Sequence, residues 1–388
     1  MHPTITTTDE LASLCNRLQD AEFVTVDTEF LRDNTYYPKL CLIQVADDNE
    51  AHCIDPLAEG IDLQPLWDLF DNEKVLKVMH ACRQDMEIFF LLMGHLPKPI
   101  FDTQIAAMVC GFGDSVGYET LVTKITKAQL DKSARYTDWS KRPLSDTQLH
   151  YAIGDVTHLR KIYRRLSKEL SDTGRTSWVE EETAHLLEPS LYHIVPSEAW
   201  KRLKVRTSKP RFLGLLKFLA TWRELQAQER DMPRNRIAKD DVLFEIAAHP
   251  PHGIEGLDKL RGVPKGFSRS RAGKALFDTL QNALEVADDE LPQVERTKPR
   301  PPTPPMADLL KVMLKQKALN AKVAARMVAS AQELEAWAAE PTTDIRAMHG
   351  WRYEIFGSDA QKLMRGELGL TAHKGEIEIV ELEDPEEE

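Results

Sequence analysis

At 388 residues, with 42% hydrophobic and 29% charged residues, the chain has the length and composition of two or three globular domains that each bury their own core. Its longest apolar runs, such as IFFLLM at 88–93, fall short of the roughly 20 residues that span a bilayer, which argues against a membrane partner. The net charge of −12 would argue against a nucleic-acid partner too, but it is unevenly spread: residues 376–388 (EIEIVELEDPEEE) are an acidic run, whereas 209–274 is studded with Lys and Arg.

The first 25 residues carry Asp9, Glu10, Asp20 and Glu22 and lack the basic and then apolar regions of a secretory signal, so a cytoplasmic location is expected. The cysteines (Cys15, Cys41, Cys53, Cys82, Cys110) have no CxxC spacing and sit in apolar segments, as buried reduced thiols do. FVTVDTEF (23–30) alternates with period two and reads as a strand; LCLIQVAD (40–47) and AHCID (51–55) follow after short polar connections, as in an antiparallel meander. KVLKVMH (74–80) is a fourth strand. The pattern then turns helical, with Met86, Phe89, Phe90 and Met93 on one face and Gly94 as the stop. IFDTQIAAMVC opens another helix, with Asp102 or Thr103 as N-cap, and a long helix runs from Leu144 to about Leu170, marked by a Ser145–Gln148 capping box.

Strands followed by covering helices predict an α/β domain with a mixed sheet over 1–172. Residues 173–207 read as a helical connector, and 208–287 as a helical domain with Phe212, Leu215, Leu216, Leu219 and Trp222 at helical spacing. Residues 288–305 combine charge with prolines as an extended linker does, 306–371 read as a second, diverged helical unit, and 372–388 as an acidic tail.

Four carboxylates stand out. Asp27 and Glu29 lie at i and i+2 of the first strand, on one face about 6.5–7 Å apart; Asp85 follows the fourth strand; Asp155 lies on the long helix with Tyr151 one turn before it, about 5–6 Å away between Cβ atoms. Each motif alone has a bland reading, a solvated strand face or a helix-dipole partner. Together they are like charges that only a fold could gather, and two divalent cations (Mg²⁺ or Mn²⁺) about 3.5–4 Å apart would both neutralise them and clamp a phosphodiester displacement. Hydrolysis of a nucleic acid is the chemistry they point to.

The segments VDTEFLRDNTYYPKLCLIQVAD, HACRQDMEIF, FDTQI and LDKSARYTDWSKRPLSDTQLHYAIGDV resemble the ribonuclease D group of DEDD exonucleases across nearly all of residues 20–170. The resemblance implies a ribonuclease H-like fold, two metal ions, and 3′-to-5′ removal of nucleoside 5′-monophosphates from single-stranded RNA 3′ ends, with transfer RNA precursors as the family's substrate; a stable protein partner is not among the things it implies. It assigns Asp27, Glu29 and Asp155 to the metal that binds the attacking water, and Asp27 with Asp85 to the second. It has Tyr151 orient that water and help remove its proton. A sister group uses a histidine five residues before the last Asp, which His150 would supply; on a helix, however, five residues turn it about 140° away from Asp155.

Phe30, His80 and Gln104 are candidate contacts for the terminal nucleotide, with structural roles as the alternative, and Trp139 is a candidate core anchor. WRELQAQERDMPRNRIAKDDVLFEIA, LDKLRGV and SRSRAGKAL resemble the HRDC domain, an auxiliary nucleic-acid-binding module, with Arg261, Lys265, Arg269, Arg271 and Lys274 as candidate phosphate contacts and a plain packing domain as the alternative. The competing functional readings are a DNA exonuclease with the same metal chemistry and an RNA-binding scaffold on an inactive nuclease fold. Retaining four mutually repelling carboxylates argues against the latter.

Overall fold

A computed structural model describes residues 4–131, 133–293 and 303–382. The first domain is a six-stranded mixed sheet in the order β1-β4-β3-β2-β5-β6. Its elements run β1 (Thr4–Ile5), α1 (Thr8–Leu18), β2 (Phe23–Leu31), β3 (Lys39–Ala46), β4 (Ala51–Ile54), α2 (Gln64–Asp71), β5 (Leu76–Met79), α3 (Arg83–Met93), β6 (Ile100–Asp102), α4 (Thr103–Val109), α5 (Tyr118–Leu121) and α6 (Asp146–Asp172). β2, β3 and β4 form the expected antiparallel meander, and β5 and β6 add to it in parallel.

Period-two alternation on β2 gives the sheet two distinct faces. Val24 and Val26 enter a core shared with α1, α2 and α3, whereas Phe23 joins the core beneath α4 and α6. Gly94 caps α3 at φ +79, Asp102 caps α4, and both halves of the capping box at Ser145 and Gln148 start α6. The Thr25 hydroxyl donates to the Val156 carbonyl at 3.0 Å, which pins α6 across β2. All five cysteines are free and buried.

α7 (Thr176–Ala184) and several 3₁₀ turns fill the connector, which is not independent: Val179 belongs to the sheet domain's core and Ala199 to the next one. The helical domain comprises α8 (Pro210–Glu229), α9 (Arg234–Ile237), α10 (Asp240–Ala248) and α11 (Arg271–Glu285), closed around Leu216, Leu219, Leu243 and Leu280. Of the Pro-rich linker, residues 294–302 lie outside the described residues. The last unit contains α12 (Pro305–Ala321), α13 (Ala325–Val328), α14 (Ala331–Ala339), α15 (Gly350–Arg352) and α16 (Ser358–Arg365).

That last unit is not purely helical. β7 (Leu368–His373) and β8 (Glu376–Glu381) pair as a hairpin through residues assigned from sequence to the end of the helical unit and to the acidic tail. In EIEIVE the apolar residues alternate with glutamates, and Lys374–Gly375, both at positive φ, form the two-residue turn. The remaining tail residues, 383–388, lie outside the described residues. Among the described residues no helix is long and apolar enough to cross a membrane.

The last unit also shares a single core with the sheet domain, running from Val109 and Leu166 to Leu310, Met313 and Phe356. The Ala324 amide donates to the Met108 carbonyl at 2.8 Å, Arg175 Nη2 donates to the Ala321 carbonyl at 2.7 Å, and Trp178 stacks on Trp351 with ring centroids 4.3 Å apart. Gly111 is what lets the two backbones meet: its φ is +76, and a Cβ there would lie 2.6 Å from the Lys322 carbonyl oxygen. Gly111→Ala should cost at least the ~1–3 kcal/mol of a left-handed non-glycine residue, read as a lower urea midpoint. An unchanged midpoint would mean that the two units do not rest on each other at this point.

Candidate active site

The site grows from β2 and α6. Because Asp27 and Glu29 occupy alternate positions of one strand, both face α6, which presents Asp155 to them, and oxygen atoms of the three carboxylates lie within 4.8 Å of one another. Between Glu29 and Phe30 the β2–β3 register shifts, so the irregularity interrupts the ladder beside the cluster before Phe30 and Leu31 pair again. Asp85, in the first turn of α3, stands next to this trio rather than within it: its carboxylate accepts a hydrogen bond from the Thr28 hydroxyl, and its charge acts on Asp27 and Glu29.

These carboxyls are held against their preference. Burial, and then the charges of Asp155, Asp85 and Glu29, raise Asp27 well above the usual carboxylate range. Burial and the charges of Asp155 and Asp85 push Glu29 up to about 8. Burial raises Asp85 to about 7 against the Thr28 hydrogen bond, and Asp155 to about 7 against the pull of Tyr151 and Arg135. A compact, oxygen-only set of acids with raised proton affinity suits a hard divalent cation.

The trio opens onto a cleft of about 260 Å³ lined by Asp27, Asp155, Tyr151, His80, Tyr118 and Arg135, among others. Tyr151 packs against Trp139, ring centroids 6.1 Å apart, and Trp139 is a buried part of the core around Cys41 and Ile153. Burial, then the charges of Asp155, Glu29 and Asp27, push the Tyr151 phenol up, so it keeps its proton as a hydrogen-bond donor. His150 is exposed and does not line the cleft. His80 does: its Nδ1 lies 3.0 Å from the Thr103 hydroxyl, its Nε2 has no partner among the described residues, and burial lowers its pKa.

The other two candidates for the terminal nucleotide are placed elsewhere. Phe30 follows Val24 and Val26 on the opposite face of β2 and packs on that core, and Gln104 donates to the Val116 carbonyl at 3.2 Å, tying down the loop before α5. Two residues not singled out from sequence line the cleft instead. Tyr118 donates to the Asp155 carbonyl and places its ring 5.5 Å from His80. Arg135 lowers the proton affinity of Glu29 and Asp155 from a loop anchored by Arg142, which pairs with Asp55 at 2.6 Å and donates to the Cys41 carbonyl. A cation between two acidic motifs was the only available signal for Arg135, and sequence spacing alone does not say where that loop lies.

Arg261, Lys265, Arg269, Arg271 and Lys274 are all exposed on the turn before α11 and on its first residues, remote in sequence from the cleft.

Residues 3–171 match the 3′-5′ exonuclease family, and residues 212–280 match the HRDC domain. The chain is 50% identical to ribonuclease D of Jannaschia sp. (strain CCS1), over 98% of this chain and all of that protein, and 47% identical to ribonuclease D of Nitrobacter hamburgensis, over 97% and 99%. The chain belongs to the ribonuclease D family. Its structure agrees, superposing on Escherichia coli RNase D with a TM-score of 0.79 at 32% identity over 94% of this chain and 99% of that one. The protein is therefore a 3′-to-5′ exoribonuclease with a ribonuclease H-like domain and a helical HRDC domain, and divalent metal dependence comes with the DEDD fold.

The raised carboxyls make stability depend on pH. A carboxyl whose folded-state pKa exceeds its unfolded value near 4 binds more protons when folded, so its contribution is complete below about pH 4 and is lost as pH rises through about 7 to 8. In EDTA, Asp155→Asn should thus melt several degrees above the parent at pH 8, and the gap should close by pH 5. A gap independent of pH would contradict the raised proton affinity of Asp155.

Proposed function

We propose that this ribonuclease trims single-stranded 3′ ends of structured RNAs, transfer RNA precursors among them, releasing nucleoside 5′-monophosphates with the help of two divalent ions, Mg²⁺ or Mn²⁺. The observation that carries the proposal is the cluster of Asp27, Glu29 and Asp155 at the end of an open cleft, with Asp85 beside it. Escherichia coli RNase D, described as an exoribonuclease involved in structured RNA processing, supports the choice of substrate.

Asp27, Glu29 and Asp155 would hold one ion and Asp27 with Asp85 a second; the chemistry such ions would supply is a lowered pKa for the attacking water and charge stabilisation for the leaving oxygen. The remaining work falls to the protein's own groups. Tyr151, fixed by Trp139, donates its one hydroxyl hydrogen to Asp155 and leaves its oxygen to accept a hydrogen bond from the attacking water; with its pKa raised it positions the water and does not serve as the base. His80, neutral at physiological pH, offers an unpartnered Nε2 to a ribose hydroxyl or base N–H of the terminal nucleotide. Arg135 brings a positive charge to the mouth of an otherwise acidic cleft, where the phosphate must approach. In the HRDC domain, Arg261, Lys265, Arg269, Arg271 and Lys274 would hold the body of the RNA through its phosphates. The unit over 306–371 is a second HRDC-like copy in this reading.

RNA and DNA of matched sequence, labelled at either end and incubated with Mg²⁺, Mn²⁺ or EDTA, test the reaction. The expected products are mononucleotides released from the 3′ end of RNA, none in EDTA, and losses of orders of magnitude for Asp27→Ala. Equal rates on DNA, or near-normal activity in Asp27→Ala, would refute the proposal.

Tyr151→Phe separates the two readings of HYAIGD. Removing only the hydroxyl should lower kcat strongly with little change in RNA affinity, while His150→Ala should be mild. The opposite ranking would transfer the role to His150.

A further inference from the structure

A second cleft, of about 460 Å³, lies where the sheet domain meets the HRDC domain. Its walls come from the segment just after β2 (Arg32, Tyr36), from the connector (Arg202) and from the HRDC domain (Arg223, Glu224, Arg234). In a chain with net charge −12, four arginines line it against two carboxylates, Glu224 and Asp240.

Three of these arginines have partners that fix them. Arg32 forms a two-pronged pair with Glu87 at 2.7 and 2.8 Å. Arg234 grips Glu224 with two contacts of 2.6 Å and lies over the Tyr36 ring, 4.7 Å from its centroid. Arg223 pairs with Asp240 at 2.6 Å and donates to the Ala238 carbonyl at 3.0 Å.

Two donors are left over. The Arg223 side chain is only 5% exposed, yet its Nε has no hydrogen-bond partner among the described residues. Arg202 is exposed and forms no ion pair among them, although its charge reaches Glu224. A buried guanidinium N–H left without an acceptor is costly and calls for an explanation. Guanidinium groups match phosphate oxygens in geometry as well as charge.

We propose that this inter-domain cleft holds a backbone phosphate of the RNA strand, upstream of the 3′ end that occupies the active site. The proposal rests on the exoribonuclease reading and adds a second point of attachment to it. The path is short: Arg32 lies three residues beyond Glu29 on the same chain, about 10 Å at strand spacing, and even Tyr36 lies within about 25 Å of Glu29 at full extension. A strand a few nucleotides long can bridge the carboxylates and the cleft, whereas a dinucleotide without a 5′-phosphate has only the scissile phosphodiester and no upstream phosphate to place there. The same contact surface locks the HRDC domain in place, since the Tyr36 and Tyr37 amides donate to Asp231 at 3.0 and 2.9 Å, so the two attachment points keep a fixed spacing.

Arg202 is the residue to change, because it is exposed and supports no ion pair. With the full-length protein in EDTA, Arg202→Glu should weaken binding of a single-stranded RNA of about 12 nucleotides severalfold and make log Kd against log salt shallower by about 0.7 per lost contact; Arg202→Lys should restore most of the affinity. The loss should be absent for a dinucleotide without a 5′-phosphate, which has no upstream phosphate to lose. Unchanged affinity and salt slope for the longer strand would overturn the proposal. So would a loss confined to inhibition by a nucleoside 5′-monophosphate, which would make the cleft a site for free nucleotide. Failure of the parent protein to cleave RNA at all would refute the nuclease reading instead, and it is read in a separate assay with Mg²⁺.

Discussion

Burial of four carboxyl groups, two of which also repel their neighbours, is the constraint that the exonuclease domain is arranged around. Asp27, Glu29 and Asp155 offer oxygens within 4.8 Å of one another, with Asp85 alongside, and each is pushed toward its protonated form. No chain would gather these groups to gain stability. They are held together by work done elsewhere, and in the proposed reading divalent cations would supply the counter-charge that their burial lacks.

That work is done by rigid elements. Two of the acids share one strand, so their spacing is set by backbone geometry and not by side-chain choice. The third rides on a long helix that is fixed at its start by a capping box and pinned across β2 by the bond from Thr25 to Val156. The helical unit at the end of the chain braces α4, α6 and α7 through a continuous core, while the HRDC domain is tied on the other side, to the segment that follows β2. The strand that carries Asp27 and Glu29 thus lies between the two helical units, and in the proposed reading an RNA held by the HRDC domain would be presented at a set distance from the carboxylates.

What the sequence reveals of this follows the range of the interactions. The β2–β3–β4 meander, the stop at Gly94 and the Ser145–Gln148 start are written in local patterns and appear in the structure as expected. So does the order of the acidic motifs along the chain. Leu11, Leu14, Cys15 and Leu18 carry the helical spacing of α1 in full, although the sequence reading assigned no helix there. The β7–β8 hairpin was hidden because its glutamates dominate the composition and mask the alternation beneath. Contacts between distant segments left no local trace: the docking of Lys322 on Gly111, the tie of Asp85 to Thr28, and the arrival of Arg135 at the cleft all join residues that no spacing rule connects. For Phe30 and Gln104 the structural alternative fits the observed contacts, since an aromatic or an amide near a motif can serve packing or loop closure.

Proton release on metal binding tests the central claim most directly. Calorimetric titration of Mn²⁺ into the protein at pH 7, in buffers of differing ionisation enthalpy, reports how many protons leave as the ions enter. Carboxyls raised to about 7 and about 8 are largely or partly protonated there, so one or more protons should be released, with the number falling toward zero by pH 9. Binding without proton release at pH 7 would show that the acids are already ionised and unstrained, and would contradict the account.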